Sequence, residues 1–244
     1  MLVGALIFDQ PYGIARADWD EKAMDNATIS LMLKQFDAVN SLDSFIVVFW
    51  VSTRDLGRVM TVMEEHGLSN VQSVFWYKED QNMTGDPRRF ISSVEVMAIG
   101  FRTSGDASNN INNLSKNPLE RHNIVVGPGL HTYSKHSDGT RVNIHQKPTY
   151  LAKWIVDNFA RTDDTILICG HGAGGEVYGC VEGHCNVVCM DSDEKQVAFL
   201  RSDLQTADAR IEAKVQADAA KVSREEAQAA KDASAAAVDP EEPS

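Results

Sequence analysis

Residues 164–191, DTILICGHGAGGEVYGCVEGHCNVVCMD, decide how this chain folds. An apolar run, Ile166 to Cys169, breaks at four glycines (Gly170, Gly172, Gly174 and Gly175). It then continues through helical sequence and returns as a second apolar run that ends on Asp191. Short apolar runs bounded by turn residues read as buried strands. Glycines between a strand and a helix permit positive φ and a close approach of ligand to backbone, and the helix start offers unpaired N–H groups. Asp191, about 20 residues on, stands where nucleotide-binding sheets hold a ribose hydroxyl. The turn has no Lys-Ser or Lys-Thr at its end, so it is not a nucleoside-triphosphate loop. The dinucleotide fingerprint fits only loosely and has no full second half behind it. A ligand with an adenosine but no pyrophosphate suits the pattern better, and a tight strand–helix turn without ligand is its structural alternative.

The same alternation extends outward. VGALIFD and SFIVVFWV read as buried strands. NATISLMLKQFDAVNSL and LGRVMTVMEEHGL read as helices, the second stopped at Gly67. NVQSVFWYKED and SVEVMAIGFR read as two strands joined by a polar loop. Residues 103–140, rich in Ser, Asn, Gly and His, have no clear period and read as a long mobile loop. HQKPTYLAKWIVDNFA is a helix with Pro148 near its first turn, and EKQVAFLRSDL a further helix. Strands alternating with helices predict a doubly wound, mostly parallel α/β sheet. The expected division is a domain over 1–204, with 103–140 as a candidate target-recognition region, and an Ala-rich, charged low-complexity tail over 205–244.

The totals narrow the function classes. The 244 residues carry a formal charge of -12, of which the tail supplies -4, from nine acids and five bases. An acidic body argues against a generally basic nucleic-acid binder, because phosphate contacts need Lys and Arg. No apolar run is long enough to cross a bilayer, and no signal peptide is evident. The chain reads as intracellular, in cytoplasm or nucleus, without membrane contact, and its four cysteines read as thiols.

The first strand ends abruptly in Asp9-Gln10-Pro11-Tyr12-Gly13, with Trp19 following. This tip resembles the DPPY catalytic motif of the S-adenosylmethionine-dependent DNA amino-methyltransferases, which methylate adenine N6 or cytosine N4. FWYKED and SVEVMAIGFR resemble that family's strand with a Trp-x-Lys end and its Glu-bearing strand. IHQKPTYLAKWIVDNF resembles its His-x-x-Gln-Lys-Pro helix start, shortened by two residues, and DTILICGHGAGGEVYGC its cofactor loop. The order, catalytic motif first and cofactor loop late, matches the permuted β arrangement, and the likeness covers roughly residues 3–204. The resemblance implies S-adenosylmethionine as cofactor, with Gly170, Gly172, Gly174 and Asp191 contacting it and Lys147 and Pro148 shaping its methionine end. It implies Asp9, Gln10, Pro11 and Tyr12 as the catalytic tip. The Asp9 carboxylate and Gln10 carbonyl would accept hydrogen bonds from the amino group, and Tyr12 would stack on a base taken out of the duplex. DNA is the implied partner, reached directly through Arg121 and Lys135 of the polar loop or through a second subunit of a homo- or hetero-oligomer.

Three positions depart from the family pattern. Gln10 replaces the first proline, which keeps the carbonyl but loses the locked φ. Ile168 and Cys189 stand where the family has acids that meet the cofactor. These departures support an alternative: a catalytically inactive relative, kept as a binding or structural subunit beside an active chain. A cluster of Cys and His at 169–189 lacks the tight Cys-x-x-Cys pairs of structural zinc sites, so no metal is expected. Nor does any Gly-x-Ser-x-Gly elbow support a hydrolase. Trp50, Trp76 and Trp154 lie in apolar runs and read as core.

Overall fold

Branched and aromatic residues without a polar break form β1 (Ala5–Asp9) and β2 (Phe45–Val51), buried along almost their whole lengths. A parallel strand buried on both sides needs a layer over each face. The computed structural model describes residues 3–9, 11, 24–40, 42, 44–79, 93–103, 122–129, 134–135, 139–143 and 145–206. Its strands continue as β3 (Ser69–Lys78), β4 (Val94–Arg102), β5 (Ile124–Gly127), β6 (Thr165–Cys169) and β7 (Asn186–Met190), in one sheet of order β5-β3-β4-β2-β1-β6-β7. β1 is parallel to β2 and β6, β6 to β7, and β3 to β5; β4 runs antiparallel to both its neighbours. The sheet is mostly parallel, as the sequence predicts.

On one face, Leu6, Phe8, Val47, Phe49 and Val51 meet Ile29, Leu33 and Phe36 of α1 (Asn26–Val39). They also meet Val59, Val62 and Met63 of α2 (Leu56–Glu65). Phe8 and Phe49 stack with ring centroids 4.6 Å apart. The alternate residues point the other way. There Phe101 packs edge-on to Phe159 and Trp76 to Tyr150, which places α3 (Thr149–Phe159) over this second face, packed against α4 (Gly175–Glu182). Trp50 and Trp76 are buried and Trp154 is half-buried.

From β1 the chain moves to β2 on one side, and later places β6 on the other. β1 and β6 therefore flank a topological switch point, where such sheets bind ligands at the carboxyl ends of their strands.

One reading needs correction. Residues 103–140 are not wholly loop, because β5 lies within them and pairs with β3 from Phe75↔Ile124 to Lys78↔Gly127. Its four residues are too few to show a period, and its Ile124 and Val126 are exposed at the sheet edge. The remainder of that loop lies largely outside the described residues. The chain divides into two compact units, Met1–Val197 and Ala198–Ser244. The first carries the sheet, and the described part of the second, 198–206, is helical. No helix among the described residues is long and apolar enough to cross a membrane.

The α3–α4 contact allows a direct test. A Cβ on Gly179 would run into the Thr149 carbonyl and lie 2.8 Å from the Ala152 Cβ, whereas one on Gly57 would meet nothing within 4 Å. Gly179→Ala should destabilise by about 2–3 kcal/mol through overpacking. Gly57→Ala should stabilise by about 0.5–1 kcal/mol through helix propensity. Urea unfolding midpoints of the two variants measure both.

Candidate active site

The register of the sheet brings the ends of four strands, three of them charged, to one edge and one face. Asp9 pairs with Trp50, Trp50 with Met97, and Trp76 with Glu95, so these side chains share the face that α3 covers. Lys147 enters this face immediately before Pro148, the N-cap of α3. Its ammonium donates to both oxygens of Asp9, at 3.1 and 2.9 Å, across 138 residues of sequence. It also lies 3.6 Å from Glu95 Oε2 and 5.1 Å from the Trp50 ring. Lys78 pairs with the other oxygen of Glu95 and sits over the Trp76 ring at 4.6 Å. Lys147 is buried at 3% exposure, so this ammonium is fixed among its carboxylates and rings.

Burial and charge act differently on the two acids. Burial pushes the Asp9 carboxyl above its ordinary value, against the pull of Lys147. Burial works to raise Glu95 as well, but Lys147 and Lys78 together outweigh it and hold that carboxyl low.

The glycine loop lies beside this cluster. Gly170 and Gly172 have φ of 80° and 53°, a region that L side chains rarely adopt. A Cβ on Gly170 would strike the Asp9 backbone carbonyl, and one on Gly175 the Lys147 carbonyl. The loop can therefore press directly against the strand tip and the lysine only because Gly170 and Gly175 lack side chains. Asp191, just beyond β7, accepts from the Gly172 N–H at 2.8 Å and from the Asp193 N–H at 2.9 Å. It holds the loop to the end of the neighbouring strand. Asn143, bonded to Gln196 at 3.2 Å, backs the loop at Gly172.

Of the residues singled out from the sequence, the fold gathers Asp9, Lys147, Gly170, Gly172, Gly174 and Asp191 around one strand edge, with Pro148 beside them and Pro11 half-buried after β1. Lys147 is the surprise, because it grips the acid at the tip of β1. Lys135 stands apart, exposed in an isolated bridge with Arg141. Gln10, Tyr12 and Arg121 lie outside the described residues. The four cysteines are free thiols. Burial raises all of them, Cys169 up to about 12. Among the described residues no group of His, Cys, Asp and Glu could hold a metal.

Glu176 escaped the sequence reading. It occupies the first turn of α4, where an acid usually signals nothing more than a favourable interaction with the helix dipole. Here the side chain is 3% exposed, and its Oε1 has no hydrogen-bond partner among the described residues. Burial, reinforced by the Asp9 charge, pushes this carboxyl up to about 8.

Two consequences can be measured. A carboxyl whose folded value lies above its unfolded one costs no stability below the unfolded value, here 4.5. It destabilises progressively as pH rises towards 8, because the unfolded chain ionises first. Glu176→Gln should therefore match wild-type stability near pH 4 and exceed it increasingly up to pH 8, by at most about 4 kcal/mol. Lys147→Met should cost roughly 3–5 kcal/mol at neutral pH, since it strands a buried carboxylate. That cost should shrink as pH falls, because burial favours the protonated form of Asp9. Denaturant titrations across pH 4–8 check both.

Neither a family model nor a curated protein matches the sequence. Solved structures do match the fold. The crystal structure of the M1.HpyAVI–SAM complex superposes with a TM-score of 0.60 at 18% identity, covering 83% of this chain and 90% of that one. M1.HpyAVI alone gives 0.60 at 17% identity, covering 84% and 88%. The PvuII DNA methyltransferase, described as cytosine-N4-specific, gives 0.58 at 12% identity, covering 82% and 78%. With the strand tip, the buried lysine and the glycine loop gathered at the switch point of its sheet, this chain has the methyltransferase fold of those proteins.

Proposed function

We propose that the chain is an S-adenosylmethionine-dependent methyltransferase acting on an exocyclic amino nitrogen of adenine (N6) or cytosine (N4) in DNA. The observation that carries this reading is Asp9: an acid on the carboxyl end of β1, anchored by Lys147, directly against the glycine loop of β6. The structural neighbours, a SAM complex and a cytosine-N4 DNA methyltransferase among them, support cofactor and substrate class. The residues present fit such a cofactor. A positive-φ loop precedes α4, an acid closes β7, and the buried Glu176 carboxyl keeps an unused acceptor oxygen. When bound, the cofactor supplies an electrophilic methyl group.

The chain's own task is positioning. An exocyclic amino group is a weak nucleophile, because its lone pair is delocalised into the ring. Asp9 accepts a hydrogen bond from that nitrogen and aims the lone pair at the methyl carbon. Each carboxylate oxygen has two lone pairs, so Asp9 can hold Lys147 and the amino group together. Lys147 fixes the orientation of the acid, and Trp50 and Glu95 fix the lysine. Gln10 supplies a second acceptor through its carbonyl and Tyr12 a stacking ring, as the sequence resemblance implies.

A second reading has its own observation. Ile168 and Cys189 stand where family members carry cofactor-binding acids, and Asp191 already spends one oxygen on each of two backbone N–H groups. A catalytically inactive subunit, working beside an active chain, would tolerate these changes. With duplex DNA and labelled cofactor, the enzyme reading expects methyl transfer that falls at least about a hundredfold in Asp9→Ala. Transfer absent from a folded, cofactor-binding sample would favour the inactive subunit.

A further inference from the structure

We propose that Glu176 is a proton-linked receptor for the positive charge of a sulfonium cofactor: neutral in the ligand-free protein, it ionises when the sulfonium enters beside Asp9. This rests on the methyltransferase reading and deepens it. Family resemblance assigns nothing to this position; charge balance in a buried site does.

At the second face of the sheet two lysines and three carboxyls stand together, with Lys147 and Glu176 buried and Lys78, Asp9 and Glu95 half-buried. Asp9 and Glu95 each hold an ammonium, Asp9 with both oxygens on Lys147 and Glu95 between Lys78 and Lys147. With those two acids ionised the two ammoniums are matched, His145 also acting on Glu95 and Asp191 on Asp9, and Glu176 is the odd carboxyl. It has no ion pair among the described residues, its Oε1 is unpartnered, and it is 3% exposed. A buried carboxylate without a cation is costly, so the cluster's proton resides on Glu176. Its backbone neighbour Gly175 is pressed against the Lys147 carbonyl, and Gly170, at the start of the loop, against the Asp9 carbonyl. Glu176 follows Gly175 in the first turn of α4, close enough to Asp9, Lys147 and Glu95 for their charges to act on it.

The charged groups acting on it are Asp9 from β1, Lys147 from the segment before α3, and Glu95 from β4. The elements packed on α4 add little charge. On α3, Lys153 and Asp157 are exposed and paired with each other. Cys169 on β6 and Cys180 and Cys189 on α4 and β7 are raised thiols, and Asp191 is bound by the N–H groups of Gly172 and Asp193.

The arithmetic selects a ligand class. A sulfonium amino acid carries two positive charges and one negative, whereas its demethylated thioether is neutral overall. One added positive charge in a neutral buried cluster is matched by one ionisation, and Glu176 holds the available proton. Methyl transfer would then restore the starting state. The nitrogen lone pair would form the carbon–nitrogen bond as the carbon–sulfur pair stays on sulfur, and the nitrogen would shed one proton to solvent. Glu176 would take one proton back from solvent as the sulfur becomes neutral, which weakens the hold on the product.

Calorimetry of the full chain at pH 7, in two buffers of different ionisation enthalpy, tests this with S-adenosylmethionine and S-adenosylhomocysteine. Release of about one proton per sulfonium bound is expected, none with the thioether, and none with either in Glu176→Gln. Sulfonium affinity should increase roughly tenfold for each unit that pH is raised towards 8 and level off above it, while thioether affinity stays level. Binding of the sulfonium without buffer dependence, or equal proton release by both ligands, would overturn the proposal and leave the methyltransferase reading standing. Failure of both ligands to bind a folded sample would overturn the two together. The wild-type arm decides the matter even if the variant does not fold.

Discussion

The contact between Lys147 and Asp9 is the constraint around which the second face of this sheet is organised. A buried ammonium is tolerable only if carboxylates and ring faces replace its water. Asp9, Glu95 and Trp50 do so from three different strands. Satisfying the lysine therefore fixes the relative positions of β1, β4 and β2 at their functional edge. It also sets where α3 begins, because Lys147 precedes its N-cap by one residue. Packing on the opposite face, where Phe8 stacks on Phe49 against α1 and α2, holds the same strands without touching this chemistry. The two faces divide the labour, one apolar and stabilising, the other charged and tuned.

The glycine loop belongs to that tuning. Glycines after a strand are commonly read as room for a ligand, yet the spaces that Cβ atoms would need at Gly170 and Gly175 are filled by the backbone of Asp9 and Lys147. The loop is glycine-rich first of all because the strand tip and the lysine must lie against it. Asp191 similarly acts within the protein, anchoring Gly172 to the end of β7. A glycine fingerprint is thus weak evidence of a ligand when taken alone. What singles out this loop is the acid that follows it.

Much of this was legible in the sequence. Long apolar runs gave β1 and β2, Gly67 marked the end of α2, and the strand–glycine–helix–strand pattern gave β6, α4 and β7 together with the parallel sheet. β5 was not legible, since a four-residue edge strand with alternating exposure resembles loop sequence. The partner of Asp9 was also hidden. Spacing rules describe contacts along one element, and this one spans 138 residues between a strand tip and the entry to a helix. Glu176 was hidden for another reason. An acid in the first turn of a helix is ordinary, and only the packing of α4 against the lysine segment shows that this one is buried.

The departures from the family pattern read differently once Glu176 is counted. Ile168 and Cys189 remove carboxylates from the loop region, which alone suggests a decaying site. A decaying site, however, loses buried charge readily, because an apolar residue in place of an unpartnered carboxyl stabilises the fold. Glu176 runs against that drift. It destabilises the folded chain as pH rises through neutrality and, accepting from its own backbone N–H, leaves Oε1 without a partner among the described residues, while a glutamine of nearly the same shape would avoid the cost. Uncompensated strain of this kind persists where something outside the fold supplies the compensation. In a cluster already balanced by Lys147 and Lys78, the missing compensation is one positive charge. The cationic ligand proposed at the switch point of the sheet would meet that requirement.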